Sequence, residues 1–126
     1  MKSYHKYYKI KAKPDEVYNA LVKPFAIELW TGEKAEMEEK PDSLFSIFGG
    51  DITGVNLEFK KDEKIVQEWF FGETDKDSIV SITLHSAGTS TNVELLHTNI
   101  PKEAFEDIKS GWDNYYFGGL RDFFHH

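Results

Sequence analysis

The sequence predicts an α+β fold: an antiparallel sheet of six to seven strands around one long C-terminal helix, with two short helices after the first strand. Three observations predict it. From Pro101 onward, Phe105, Ile108, Trp112, Tyr115, Tyr116, Leu120 and Phe123 recur at steps of three and four, the spacing of one helix face. Most of the preceding chain alternates apolar and polar residues with period two. The clusters that separate these segments are short and rich in Gly, Pro, Asp and Ser, so consecutive strands pair antiparallel rather than through crossovers. A helix this aromatic needs a broad apolar partner. Laid across a curved sheet, it encloses a cavity, and that makes binding the first function to test.

The elements follow in order. Residues 3–12 read as a strand, with Tyr4, Tyr8, Ile10 and Ala12 in one phase and His5, Lys9 and Lys11 in the other. Pro14-Asp15-Glu16 opens a helix: proline suits the first turn, and the two acids complement the dipole. Lys13 is a poor N-cap for it. Val17, Tyr18, Ala20 and Leu21 give its buried stripe, Lys23-Pro24 interrupts it, and Phe25 to Trp30 forms a second helix ending near Thr31-Gly32. A strand is expected around Ala35–Glu38, within an acidic stretch (Glu33, Glu36, Glu38, Glu39, Asp42) that reads as solvated. Leu44–Phe48, Ile52–Phe59, Ile65–Phe71, Ile79–His85 and Thr91–Thr98 are the remaining strands, with polar loops that include 72–77. In the second of these, Thr53, Val55, Leu57 and Phe59 share one side, and Asn56 and Glu58 the other.

Length and composition narrow the function classes. At 126 residues the chain is one domain, 1–126, large enough for a core without staples. It has no cysteine, hence no disulfide, thiol nucleophile or cysteine metal site. A net charge of −7 argues against a nucleic-acid surface. No apolar stretch is long enough to span a membrane. The N-terminal residues lack the apolar core of a signal peptide, so a cytoplasmic location is expected. No spacing matches a metal-binding helix, a Walker loop or a dinucleotide fingerprint, and no cofactor is expected. The terminal His125-His126 is assigned no function.

Four segments together carry a family resemblance: Pro14-Asp15-Glu16-Val17-Tyr18-Asn19-Ala20-Leu21, Phe48-Gly49-Gly50-Asp51-Ile52-Thr53-Gly54, Lys64-Ile65-Val66-Gln67-Glu68-Trp69-Phe70-Phe71 and Ser110-Gly111-Trp112-Asp113-Asn114-Tyr115-Tyr116-Phe117-Gly118-Gly119-Leu120. The chain resembles the C-terminal domain of the activator of Hsp90 ATPase (Aha1), a branch of the START-like, or SRPBCC, superfamily. The second and fourth segments are the specific ones. The resemblance implies a helix-grip fold, a strongly curved antiparallel sheet wrapped around the long terminal helix. It also implies a groove that holds apolar molecules in relatives, and an Hsp90-type chaperone as a partner. The eukaryotic co-chaperone carries a separate N-terminal domain that engages Hsp90, and none of these segments is expected to correspond to it.

The function expected is therefore a non-catalytic binding domain for an apolar small molecule or a chaperone partner. The alternative is an enzyme on an enclosed apolar substrate, as in polyketide cyclase relatives. Trp112, Tyr115, Tyr116, Trp69, His97, Leu95, Val55 and Leu57 are the expected cavity lining. The aromatic residues serve equally as the helix's half of the core. His97 shares a phase with Val93 and Leu95. Aimed into a cavity it could bond a ligand or move a proton; otherwise it is a satisfied core histidine. Trp69, Phe70 and Phe71 cannot all point inward, since strand neighbours face opposite sides. Gly118-Gly119 reads as a packing spacer rather than a gate.

Overall fold

The computed structural model describes residues 1–72 and 77–125. Six strands form one antiparallel sheet in the order β1-β6-β5-β4-β3-β2. They are β1 (Lys2–Ile10), β2 (Leu44–Ile47), β3 (Ile52–Lys60), β4 (Lys64–Trp69), β5 (Ser78–Ala87) and β6 (Ser90–Ile100). Helices α1 (Pro14–Val22) and α2 (Pro24–Thr31) follow β1. The C-terminal helix is continuous: α3 (Phe105–Gly111), a π turn (Trp112–Tyr116) and α4 (Phe117–Phe123). This is the helix-grip arrangement. No described helix is long and apolar enough to cross a membrane.

Local chemistry sets the boundaries. Lys13 supplies no side-chain cap; instead its backbone N–H donates to Glu16 Oε1 at 3.2 Å, so the third helical residue reaches back to close the turn. Pro24 holds Lys23 extended at φ −91°, ψ 119°, which ends α1 and starts α2. Gly32 ends α2 at φ 75°, a left-handed position where glycine carries no Cβ penalty. The Trp30 indole N–H donates to the Ala20 carbonyl at 2.7 Å and locks the two helices together.

The core fills the concave side. Ile10 from β1, Ile82 from β5, Val93 and Leu95 from β6, Val17 from α1, and Phe117 and Leu120 from α4 are all buried. Gly119 lets the terminal helix approach α2: a Cβ there would lie 3.2 Å from the Trp30 carbonyl oxygen. The spacer reading of that glycine stands, although its partner is a helix.

Two expectations need correction. The strand expected around Ala35–Glu38 is a single bridge, Glu36 to Ser46. The Ala35 N–H is taken by the Glu28 carboxylate at 3.0 Å, so no ladder extends from it. The inward face of β3 is Gly54 and Asn56, both buried, opposite Trp69 and Gln67. A register shift between Asn56 and Glu58 then turns Phe59 back toward the core, which is why apolar alternation misassigned this strand. The orientation left open for the aromatic run ending β4 is resolved: Trp69 points inward and Phe70 is 46% exposed. The central residues of the polar loop expected at 72–77, and His126, lie outside the described residues.

Candidate functional site

The site is organised by the π turn. Gly118 lies five residues after Asp113, the π spacing, and a Cβ on it would sit 2.8 Å from the Asp113 carbonyl oxygen. The extra residue in this turn rotates the apolar face. Trp112, Tyr116, Phe117 and Leu120 are buried, and Tyr115 is 69% exposed. Asp113 anchors the turn to the sheet. Its Oδ1 accepts from Tyr8 Oη at 2.6 Å, Lys6 Nζ at 2.8 Å and Tyr4 Oη at 3.1 Å. Burial pushes the Asp113 carboxyl up, but the hydrogen bonds from Lys6, Tyr8 and Tyr4 outweigh it and hold the group below its ordinary value.

Two stacked indoles form the centre. The Trp69 and Trp112 rings are 4.7 Å apart at 23°, and Tyr116 packs 4.6 Å from Trp112. Each indole N–H can only donate, so it fixes the polar group behind it. Trp69 donates to Gln67 Oε1 at 3.0 Å, and Gln67 Nε2 passes the chain on to Asn56 Oδ1 at 3.0 Å. Trp112 donates to His97 Nδ1 at 3.1 Å, which leaves the proton of the neutral ring on Nε2. That Nε2 bonds Ser78 Oγ at 2.8 Å, and the Ser78 hydroxyl donates to the Thr98 carbonyl at 3.1 Å. Burial lowers the His97 pKa to about 4, so the ring is neutral at pH 7. His97 has both nitrogens engaged.

What remains open is a half-open cleft of about 330 Å³ at one end of the helix. Trp69, Trp112 and Tyr116 line it from within. Phe48, Ile52, Ile108 and Tyr115 complete its apolar wall, and Gly111 leaves room beside them. Glu33, Asp51 and Asp107 are also in the lining, and all three are exposed. Burial pushes the Tyr116 hydroxyl well above its ordinary value, so it stays protonated. The aromatic side chains fill most of the hollow between sheet and helix, and the opening is peripheral.

Of the expected lining, Trp69, Trp112, Tyr115 and Tyr116 meet at this cleft. Leu95 and His97 are fully buried and outside its lining. Val55 pairs with Glu68 on the outer side of the sheet, and Leu57 is 36% exposed, so neither faces the cleft. Sequence reasoning missed Phe48, Asp51 and Ile52, which sit at the β2–β3 connection. The available signal was the segment Phe48–Gly54, which carried the family resemblance but was not connected with the cavity lining. It also missed Gln67, Asn56 and Ser78, whose polar side chains gave no sign of pointing inward.

The model of the family "Activator of Hsp90 ATPase homolog 1-like protein" matches residues 11–125. The activator of 90 kDa heat shock protein ATPase homolog of Dictyostelium discoideum is 33% identical over 105 residues, covering 81% of this chain and 27% of that protein. The chain spans about a third or less of the length of the curated relatives it matches, 27% to 35%. Among solved structures, an HSP90 activator from Plasmodium falciparum superposes with a TM-score of 0.86 at 26% identity, covering 94% of this chain and 92% of that one. CalU16 from Micromonospora echinospora shares the fold, with a TM-score of 0.81 at 23% identity and coverage of 96% and 73%.

Proposed function

This chain belongs to the activator of Hsp90 ATPase homolog 1-like family, and from that premise we propose that it is a non-catalytic binding domain whose site is the cleft over Trp69 and Trp112. The observation that carries this reading is the cleft itself. It is an apolar opening of about 330 Å³, at the lower end of the range for small-molecule sites, floored by rigid, hydrogen-bonded aromatic rings. The one imidazole buried among the described residues, His97, has both nitrogens engaged in the core, which favours binding over proton transfer.

Gly111 provides the test. A Cβ on it meets no heavy atom within 4 Å, yet it lines the cleft. Gly111→Leu should fill the opening while raising helix stability, since glycine within a helix costs about 1 kcal/mol relative to alanine. An apolar fluorophore titrated into the protein should bind the parent and lose at least ~10-fold in affinity for the variant, with Tm unchanged or higher; a factor of ten corresponds to about 1.4 kcal/mol. Equal affinity for both proteins would place the fluorophore elsewhere and remove this reading.

The family match favours a second reading, in which the partner is an Hsp90-type chaperone, as the names of the curated relatives state for those proteins. The expected result is a raised ATPase rate of such a chaperone when this chain is added. No rate change together with no detectable complex removes this reading and leaves the cleft proposal standing.

A further inference from the structure

Resting on the reading of the cleft as a ligand site, we infer that Tyr115 is its specificity-determining residue and that the ligand is a flat aromatic molecule stacked on that ring. The other aromatic side chains of the lining already have ring partners. Trp69 and Trp112 stack on each other at 4.7 Å, and the far side of Trp112 is covered by Phe117 at 5.5 Å. Tyr116 packs 5.1 Å from Trp30, and Phe48 meets Trp30 edge-on at 5.8 Å. Tyr115 lines the same cleft, is 69% exposed, and packs against no other aromatic ring among the described residues.

The helix leaves space on the side where that ring could be covered. A helical side chain leans over the turn before it, and the residue four before Tyr115 is Gly111. Gly111 also lines the cleft, and a Cβ on it would meet no heavy atom within 4 Å. The backbone itself is irregular at this opening in two separate places. The π turn exchanges a buried Tyr115 for a buried Phe117, and the net result is an aromatic face presented at the cleft. Phe48 lines the cleft at φ 54°, a left-handed conformation that is an outlier for a bulky residue. The other non-glycine residues at positive φ, Asp42, Asp62 and Asn99, are of the types that tolerate it. An open ring face is complemented best by a second flat ring, since aromatic pairs gain beyond the area they bury. A saturated body of the same size buries similar area without that gain. The volume of about 330 Å³ suits a body of one or two fused rings.

Two probes with one carbon skeleton separate flatness from apolar area: 2-naphthol and its saturated counterpart, decahydro-2-naphthol. Each is titrated calorimetrically into the full chain and into the variants Tyr115→Phe and Tyr115→Leu. The parent should prefer the naphthol about fivefold, a factor within the range for one aromatic pair. Tyr115→Phe should keep that preference. Tyr115→Leu should lose it while holding the saturated probe to within about twofold of the parent, because leucine restores apolar contact but offers no ring face. The side chain is exposed, so the Tm of both variants should stay within a degree or so of the parent's. Equal affinity of the two probes for the parent, or a preference that survives in Tyr115→Leu, overturns the assignment, and the Gly111→Leu titration still decides the cleft separately. If neither probe binds the parent while the apolar fluorophore discriminates Gly111→Leu, the aromatic class falls and the cleft reading stands. If the fluorophore fails to discriminate as well, both fall together.

Discussion

Trp112→Ala is expected to cost about 4 kcal/mol of unfolding free energy and to lower Tm by roughly 15 °C, read by urea and thermal unfolding. The side chain is 2% exposed and is among the largest that are fully buried. It stacks on Trp69 at 4.7 Å and on Phe117 at 5.5 Å, so truncation opens a void that β4 and α4 cannot both move to fill. It also removes the donor to His97 Nδ1, leaving an acceptor buried without its partner. Trp112→Phe separates the two contributions: stacking is largely kept and the hydrogen bond is lost, so an intermediate loss of about 2 kcal/mol is expected. A loss under ~1 kcal/mol for the alanine variant would show that the helix does not rest on this ring, and the architecture of the site would have to be redrawn. The same truncation removes part of the cleft floor, so any surviving fold should accept bulkier probes than the parent.

The sequence made some of this legible and hid the rest for identifiable reasons. Strands β1, β5 and β6 alternate over most of their length, broken at Lys6 and Tyr7 in β1, so the inward positions of Ile10, Val80, Ile82, Val93, Leu95 and His97 could be read directly. In β3 the pattern misled, because the inward positions are a glycine and an asparagine. Gly54 is inward because space is short: a Cβ there would meet the Glu68 carbonyl oxygen and the Phe45 ring. Asn56 is inward because it hydrogen-bonds Gln67, which in turn accepts from Trp69. Neither cause has a hydrophobic signature.

The terminal helix shows the same limit. Steps of three and four placed Tyr115 on the buried face, and the real helix buries Phe117 instead, since a π turn adds a residue that no 3.6-residue template contains. The cleft is assembled from α3, the π turn, the end of β4, the β2–β3 connection and the segment after α2. Residues so distant in sequence become neighbours only when the sheet closes on the helix, so Phe48, Asp51 and Asp107 could not be grouped from spacing alone.

Acidification should expose His97 as the main pH-sensitive element of the core. Its ordinary pKa is 6.5, and burial in the fold lowers it to about 4. Above 6.5 both folded and unfolded chains hold the ring neutral, and its contribution is complete. Between 6.5 and 4 the unfolded chain binds a proton that the native chain refuses, so stability falls as pH falls. Below about 4 both states are protonated and the loss levels off. At 1.36 kcal/mol per pKa unit the full loss is about 3 kcal/mol, of which about 2 kcal/mol appears by pH 5. Asp113 and Glu94 also lose stability as pH falls, but both are held below their ordinary values of 3.8 and 4.5, so their effect comes at lower pH. His5 and His85 also face the Glu94 carboxylate, each at 2.9 Å, so the comparison of the parent with a His97 variant is what assigns the change between pH 7 and 5 to this imidazole. His97→Gln keeps an oxygen to accept from Trp112 and an amide to donate to Ser78, and does not titrate. Urea midpoints for the variant should be nearly flat across that interval while those of the parent fall. Parallel slopes for the two proteins would mean that protonation of His97 is not opposed by the core, and that the Trp112–His97–Ser78 chain is looser than the distances of 3.1 and 2.8 Å indicate.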